Sequence, residues 1–419
     1  MSRIERVSAL EILDSRGKPT ILATLLLDNG VRAQASVPSG ASTGTHEAVE
    51  LRDGDPRRFR GQGCLKAVAN VNSAIHDRLR GQDFAAQRDL DQALIALDGT
   101  PNKANLGANA ILAVSLAFAR AQALEAGQPL YAHFAAMANT APRLPRPMIN
   151  LYSGGKHAGG QIPIQDLLVI AVGAHTIRDG LAQTYDVYMA AADAMAERYG
   201  MRLLTADEGG LAPPFHSVEE AFDMAIRAIE DAGYAPRAEI ALAVDVASSH
   251  FYEDGIYHLS SPALTGDQMV EQLLEWLDQY PIISVEDGLA EEDWRHWAAF
   301  RRRAPLDLLV LGDDLLCTNP ARIRDAIDLQ AANSLLLKVN QIGTLTEALQ
   351  ARDLAHSAGW QVVVSARSGE TEDNWLADLA VGWGADYIKI GSIQQSERLA
   401  KYNRLLEIEA EHPEFTHSW

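Results

Sequence analysis

At 419 residues the chain is long for one domain and suits two, and its 47% apolar and 22% charged residues are enough for large cores under an ordinary polar surface. A net charge of −20 argues against a nucleic-acid partner, which needs a positive field. Two cysteines, Cys64 and Cys317, are too few for a disulfide framework or a thiolate cluster and suggest a reducing, cytoplasmic setting. The opening MSRIERVSALEILDS carries charges where an export signal needs an apolar core. No run of about 18 uncharged apolar residues is present, so no membrane partner is expected.

Residues 1–60 read as strands and turns. TILATLLLDNGVRAQASV places two β-type runs around Asp28-Asn29-Gly30, a hairpin signal. PSGASTGTHEA follows, small and glycine-rich, suited to covering and uncovering a ligand. Residues 64–136 are Ala/Leu-rich and helical. These elements predict an α+β capping domain over 1–137, a proline-rich linker over 138–147, and a second domain over 148–419. In that second part short apolar runs alternate with amphipathic helices. Ser217 with Glu220, and Thr344 with Glu347, are capping-box patterns, with Gly233 and Gly359 as stops. The runs MINLY, DLLVIAV, MRLLTADE, IALAVDV, PIISVED, LDLLVLGDD, SLLLKVN, QVVVSAR and DYIKIGS are continuous rather than alternating. They predict a mostly parallel sheet buried on both faces, and a closed (β/α)₈-type barrel suits their number. An open doubly wound sheet is the alternative, but no G-x-G-x-x-G follows any run. Arg301–Arg303 falls where a helix ends and reads as a solvated terminus.

Seven successive runs finish on a charged residue: Glu208, Asp245, Glu286, Asp313, Lys338, Arg367 and Lys389. In a barrel such ends share one rim and converge on one pocket. Asp245, Glu286 and Asp313 form a hard oxygen site suited to Mg²⁺. Opposite them, Arg367 suits phosphate or carboxylate, and a lysine crowded by other cations loses its proton readily and serves as a base. Metal on one wall and a lysine base on the other is the arrangement needed to remove a proton beside a carboxylate. Glu208, in ADEGG, is displaced from the trio and is placed to act as an acid.

The chain resembles the enolase family through EILDSRGKPT, PSGASTG, LRDGD, LGANAILAVSLA, DEGG, SVEDG, GDDL, KVNQIGT, RSGETED and ERLAKYN. The resemblance implies an α/β fold, a modified (β/α)₈ barrel behind a smaller α+β N-terminal domain. It also implies dehydration of 2-phosphoglycerate with two Mg²⁺ ions, usually in a homodimer. Matched motif by motif, it makes Asp245, Glu286 and Asp313 the first metal's ligands and Lys338 the base. Lys389 holds the substrate carboxylate, Glu208 protonates the departing hydroxyl, and Arg367 and Ser368 hold the phosphoryl group. Ser42 joins a second metal as its loop closes, and His157 and Gln165 line the pocket, with Asp166 beside them.

The pattern departs at one end of the site. Ala366 stands where the family has histidine, Ser153 and Lys156 replace an amide and an acid, and Asp166 is one methylene shorter than the usual glutamate. Ala206 replaces a glycine, and Gln394-Gln395 replaces a Ser-Arg pair. Extra room at Ala366 and extra positive charge at Lys156 suit a larger, more anionic substrate. A subgroup of the family that forms carboxyphosphonoenolpyruvate in phosphonate and phosphinate pathways fits that description. An ordinary enolase and a non-catalytic relative are the alternatives.

Overall fold

The computed structural model describes residues 2–200 and 204–415. Strands β1 (Ile4–Leu13), β2 (Pro19–Leu27) and β3 (Arg32–Ser36) form an antiparallel sheet in that order. The hairpin expected at Asp28-Asn29-Gly30 joins β2 to β3: Leu27 N donates to Val31 O at 2.9 Å, and Gly30 takes φ +89°, a conformation that favours glycine. Ile21, Ala23, Leu25 and Leu27 alternate onto the buried face of β2. Helices α1 (Leu65–Asn70), α2 (His76–Leu79), α3 (Gln87–Asp98), α4 (Ala108–Glu125) and α5 (Leu130–Ala138) follow. Helix α4 is apolar almost all round because β2 and β3 cover one side while α3, α5 and the later helix Leu345–Ser357 pack on others. Among the described residues no single helix is long and apolar enough to cross a membrane.

The chain then enters a closed eight-stranded barrel through β4 (Arg146–Ser153), so Pro147, expected in the linker, lies inside a strand. Next come β5 (Asp166–Ile170), α6 (Ile177–Tyr199), α7 (Val218–Asp231) and β6 (Ala241–Asp245), then a small sheet of β7 (Tyr252–Glu253), β8 (Ile256–Tyr257) and β9 (Leu264–Thr265). The remainder alternates: α8 (Gly266–Gln279), β10 (Ile282–Glu286), α9 (Trp294–Arg303), β11 (Leu309–Gly312), α10 (Pro320–Asp328), β12 (Ser334–Leu337), α11 (Val339–Ile342), α12 (Leu345–Ser357), β13 (Gln361–Ser365), α13 (Trp375–Gly382), β14 (Tyr387–Gly391) and α14 (Ser396–Glu411). The barrel order is β10-β11-β12-β13-β14-β4-β5-β6. Met148, Leu168, Ile170, Ala243, Leu311, Leu336 and Val363 fill its interior.

Three expectations need correction. The sheet is not parallel throughout, because β5 pairs antiparallel with both β4 and β6. A strand returning through a loop needs no helical crossover, and its apolar run looks the same either way. As a result β5 brings its first residue, Asp166, to the rim, in register with Asp245 at the end of β6. Next, the part of MRLLTADE among the described residues, Leu204–Glu208, forms no barrel strand: Met201–Leu203 lie outside the described residues, and Glu208 sits in a turn closed by a Thr205–Leu211 bridge and by Gly209 at φ +86°. Finally, each capping box is half formed. Ser217 accepts from Glu220 N and Thr344 accepts from Glu347 N, but Glu220 accepts from His216 N, and Glu347 takes the Thr344 hydroxyl and pairs with Lys103. Arg301–Arg303 does form the last turn of α9, where cations suit the helix dipole.

Candidate active site

Side chains from every barrel strand reach one rim. Asp245 and Glu286 close β6 and β10, where they stand in register on neighbouring strands, and Asp313 follows β11 directly. Lys338 follows β12, Arg367 stands two residues beyond β13, and Lys389 projects from β14. All six are at least nine-tenths buried. Burial of so many charges requires that they pair, and they do. Lys389 Nζ donates to Asp245 Oδ2 at 3.0 Å and to Glu286 Oε2 at 2.7 Å. Lys338 Nζ donates to Asp313 Oδ2, whose other oxygen accepts from Gln341 Nε2 at 2.7 Å. Gln165 Nε2 adds a bond to Asp245 Oδ2 at 3.0 Å.

These pairings set the protonation states. Burial pushes Glu286 well above the usual carboxylate range, and repulsion from Asp245 and Asp313 adds to it against the pull of Lys389. For Asp313 burial is outweighed by Lys338 and Arg367, which hold it below its ordinary value. Burial alone would lower Lys338, but the Asp313 carboxylate raises it instead. The sequence suggested a lysine freed of its proton by nearby cations; here its closest neighbour is an anion, and the ammonium is held charged.

The carboxylate trio suits a divalent cation by its donor set. Three acids converge, Glu286 Oε1 is buried with no hydrogen-bond partner among the described residues, and the like-charge repulsion at Glu286 is what a cation would relieve. The trio is wider than the tightest acidic groups, with Lys338 and Lys389 among its oxygens. A tighter group, Asp287, Asp313 and Asp314, has ligand atoms within 4.8 Å of one another. Asp287 there accepts from the backbone N–H groups of Asp313 at 2.9 Å and Asp314 at 2.7 Å, so it fixes the turn that aims Asp313.

A second network lies beside the first. Ser153 Oγ donates to Asp166 Oδ1 at 2.6 Å, and Asp166 Oδ2 lies 2.7 Å from His157 Nδ1. His157 Nε2 is 3.1 Å from Ser368 Oγ and 3.7 Å from Glu208 Oε1. Asn150 Nδ2 donates to Glu208 Oε2 at 3.1 Å. Burial works against charge on His157, but Asp166 and then Glu208 outweigh it and raise the imidazole to about 9. Burial raises Glu208 while His157, Arg398 and the two lysines pull it down, and the pull wins. Burial also raises Asp166 against the pull of His157, but with the imidazole held at about 9 and 2.7 Å from the carboxylate, His157 is the group that carries the cluster's positive charge at neutral pH.

Ala366 is buried and lines the pocket with Arg367, Ser368, His157, Gln165, Glu208 and Ser42. Lys156 does not line it. His157 is buried while Lys156 beside it is exposed, and burial, together with the positive charge of Lys156, drives the His250 imidazole down to about 4. Arg367 and Ser42 meet each other: Arg367 Nη2 donates to Ser42 O at 2.7 Å. Sequence reasoning missed Asn150, Gln341, Asp287 and Glu47. Gln341 was within reach, since it lies in KVNQIG three residues beyond Lys338.

The model of the enolase N-terminal domain matches residues 4–134, and that of the enolase C-terminal TIM barrel domain matches residues 141–417. The barrel model alone spans more than half of the chain, so the protein belongs to the enolase family.

Proposed function

We propose that this enolase-family lyase removes water from a 2-phosphoglycerate-like substrate enlarged at phosphorus, giving carboxyphosphonoenolpyruvate. The observation that carries the dehydratase reading is the facing arrangement of Lys338 and Lys389 against Asp313, Asp245 and Glu286, with the His157–Glu208 pair alongside. Asp245, Glu286 and Asp313 would hold Mg²⁺, which would supply the positive charge that a doubly ionised carboxylate needs, and Ser42 on the covering loop would serve a second ion. The protein's own groups do the rest. Once Asp313 turns away from it, the Lys338 ammonium would release its proton to solvent, and the free Nζ would then take the proton beside the carboxylate, while Lys389 Nζ remains charged and grips the carboxylate. His157 stores the proton that Glu208 Oε1 passes to the leaving hydroxyl, and Asp166 and Ser153 hold the imidazole in place. Arg367 and Ser368 face the phosphorus end.

Support for the enlarged substrate comes from buried Ala366, which leaves room where the family has an imidazole. A second reading, ordinary 2-phosphoglycerate dehydration, is favoured by Lys156: its side chain stands at the rim and adds no charge to the pocket lining. Incubating purified protein with Mg²⁺ and either 2-phosphoglycerate or its P-carboxylated analogue, followed by phosphorus NMR, separates the two. Preference for the analogue is expected. Turnover of 2-phosphoglycerate near the common enzyme rate of ~10 s⁻¹, with none of the analogue, would establish the second reading. Ala366→His with Lys156→Glu is expected to move preference toward 2-phosphoglycerate.

A further inference from the structure

The loop between β3 and α1 lies down on the barrel, and the fastening is specific. Arg367 Nη1 donates to Glu47 Oε2 at 3.0 Å and to Asn340 Oδ1 at 3.0 Å. Its Nη2 donates to Glu47 Oε1 at 3.1 Å and to Ser42 O at 2.7 Å. The guanidinium has five N–H donors, and these contacts occupy the four terminal ones. Nε–H is left with no acceptor among the described residues, on a residue that lines the pocket. The loop backbone follows the same seat. Ala48 N donates to Gln341 O at 2.7 Å, and Ser39 bridges Gly369. A Cβ at Gly40 would stand 2.1 Å from Arg367 Nη2, so a larger residue there would have to displace the guanidinium from this seat.

We propose that Glu47 is a positioning residue: it latches the 40–47 loop to Arg367 and in the same contact turns the guanidinium so that Nε–H faces the substrate's anionic end. Loop closure and orientation of the anion-gripping arginine are then one event. A bidentate carboxylate–guanidinium pair fixes the plane of the group as well as its place, which a single bond does not. Both partners are buried, with side chains 3% and 8% exposed, so the pair is little screened by solvent. Gln341 extends the latch inward: it approaches Glu47 Oε1 at 3.5 Å and donates to Asp313 Oδ1 at 2.7 Å. The loop is thereby tied to one of the carboxylates assigned to the metal.

The role of Arg367 toward substrate rests on the dehydratase reading, but the latch itself is tested without turnover. Amide hydrogen exchange across 40–47 is compared in wild type, Glu47→Ala, Glu47→Gln, Arg367→Ala and the Glu47→Ala/Arg367→Ala double variant. Faster exchange is expected in both alanine variants, partial protection in Glu47→Gln, and no further loosening in the double variant. Unchanged exchange in Glu47→Ala, or additive effects in the double variant, would overturn the latch. Steady-state kinetics on whichever of the two phospho-substrates wild type turns over then reads the orienting role. KM in Glu47→Ala is expected to rise roughly tenfold or more, the scale of one charge-assisted hydrogen bond, with partial rescue by Glu47→Gln. A fall in KM would mean that Glu47 competes with the substrate and would overturn the orienting role. Wild type inert toward both substrates, with the exchange pattern as expected, would refute the reaction reading and leave the latch standing.

Discussion

Replacing Asp166 by asparagine keeps the shape of the side chain and removes the charge that stabilises His157. The imidazole is buried and held at about 9 against an ordinary value of 6.5, with Asp166 the largest force acting against burial. Because the folded value is the higher one, this contribution to stability is complete below pH 6.5 and is lost as pH rises through 9. At about 1.4 kcal/mol per pH unit, the interval corresponds to about 3 kcal/mol. In Asp166→Asn the more distant Glu208 and Asp245 are left to oppose burial, so the imidazole is expected to fall by more than about one pH unit, and the pH dependence flattens. Histidine ring-proton NMR, with the signal assigned through His157→Gln, follows the titration, and urea unfolding at the two ends of the window follows stability. A His157 that titrates near 6.5 in wild type, or near 9 in both proteins, would refute the argument.

Other consequences follow from the same packing. Lys389→Met strands Asp245 and Glu286 without their shared ammonium and is expected to cost about 3–5 kcal/mol in urea unfolding, with added Mg²⁺ restoring more stability than it gives wild type. Unfolding as in wild type, with no extra response to Mg²⁺, would argue against a shared carboxylate site. Gly382→Ala puts a methyl 2.4 Å from Tyr131 O and 2.6 Å from Phe134 Cβ, where α13 crosses α5. The crossing has no slack, so a loss of about 2 kcal/mol or more is expected by calorimetry.

Much of the rim was legible because strand ends are local features. Asp245, Glu286, Asp313 and Lys338 each stand at or directly after the end of a continuous apolar run, and a barrel gathers such ends whatever the helices between them do, whereas Lys389 reaches the same rim from the middle of β14. Glu208 misled because TADE reads like one more strand end, and only the turn at Gly209 shows otherwise. The direction of β5 is invisible in DLLVIAV, since burial on both faces erases alternation. Lys156 was assigned to the pocket from its place in SGGKHAGG and its charge, but its side chain is exposed and outside the pocket lining. Glu47 left no signal, because its partner Arg367 is 320 residues away in the chain. The protonation of Lys338 was also out of reach: crowding by cations and pairing with Asp313 predict opposite directions, and only distances decide between them.

The central claim is that Asp245, Glu286 and Asp313 form a cation site. Thermal unfolding against Mg²⁺ concentration, in wild type and in Glu286→Gln, tests it most directly. Wild type is expected to gain stability steadily, reaching ~2.7 kcal/mol at 100 times the dissociation constant, while the variant gains far less. Equal curves for the two proteins, or a wild type indifferent to Mg²⁺, would contradict it.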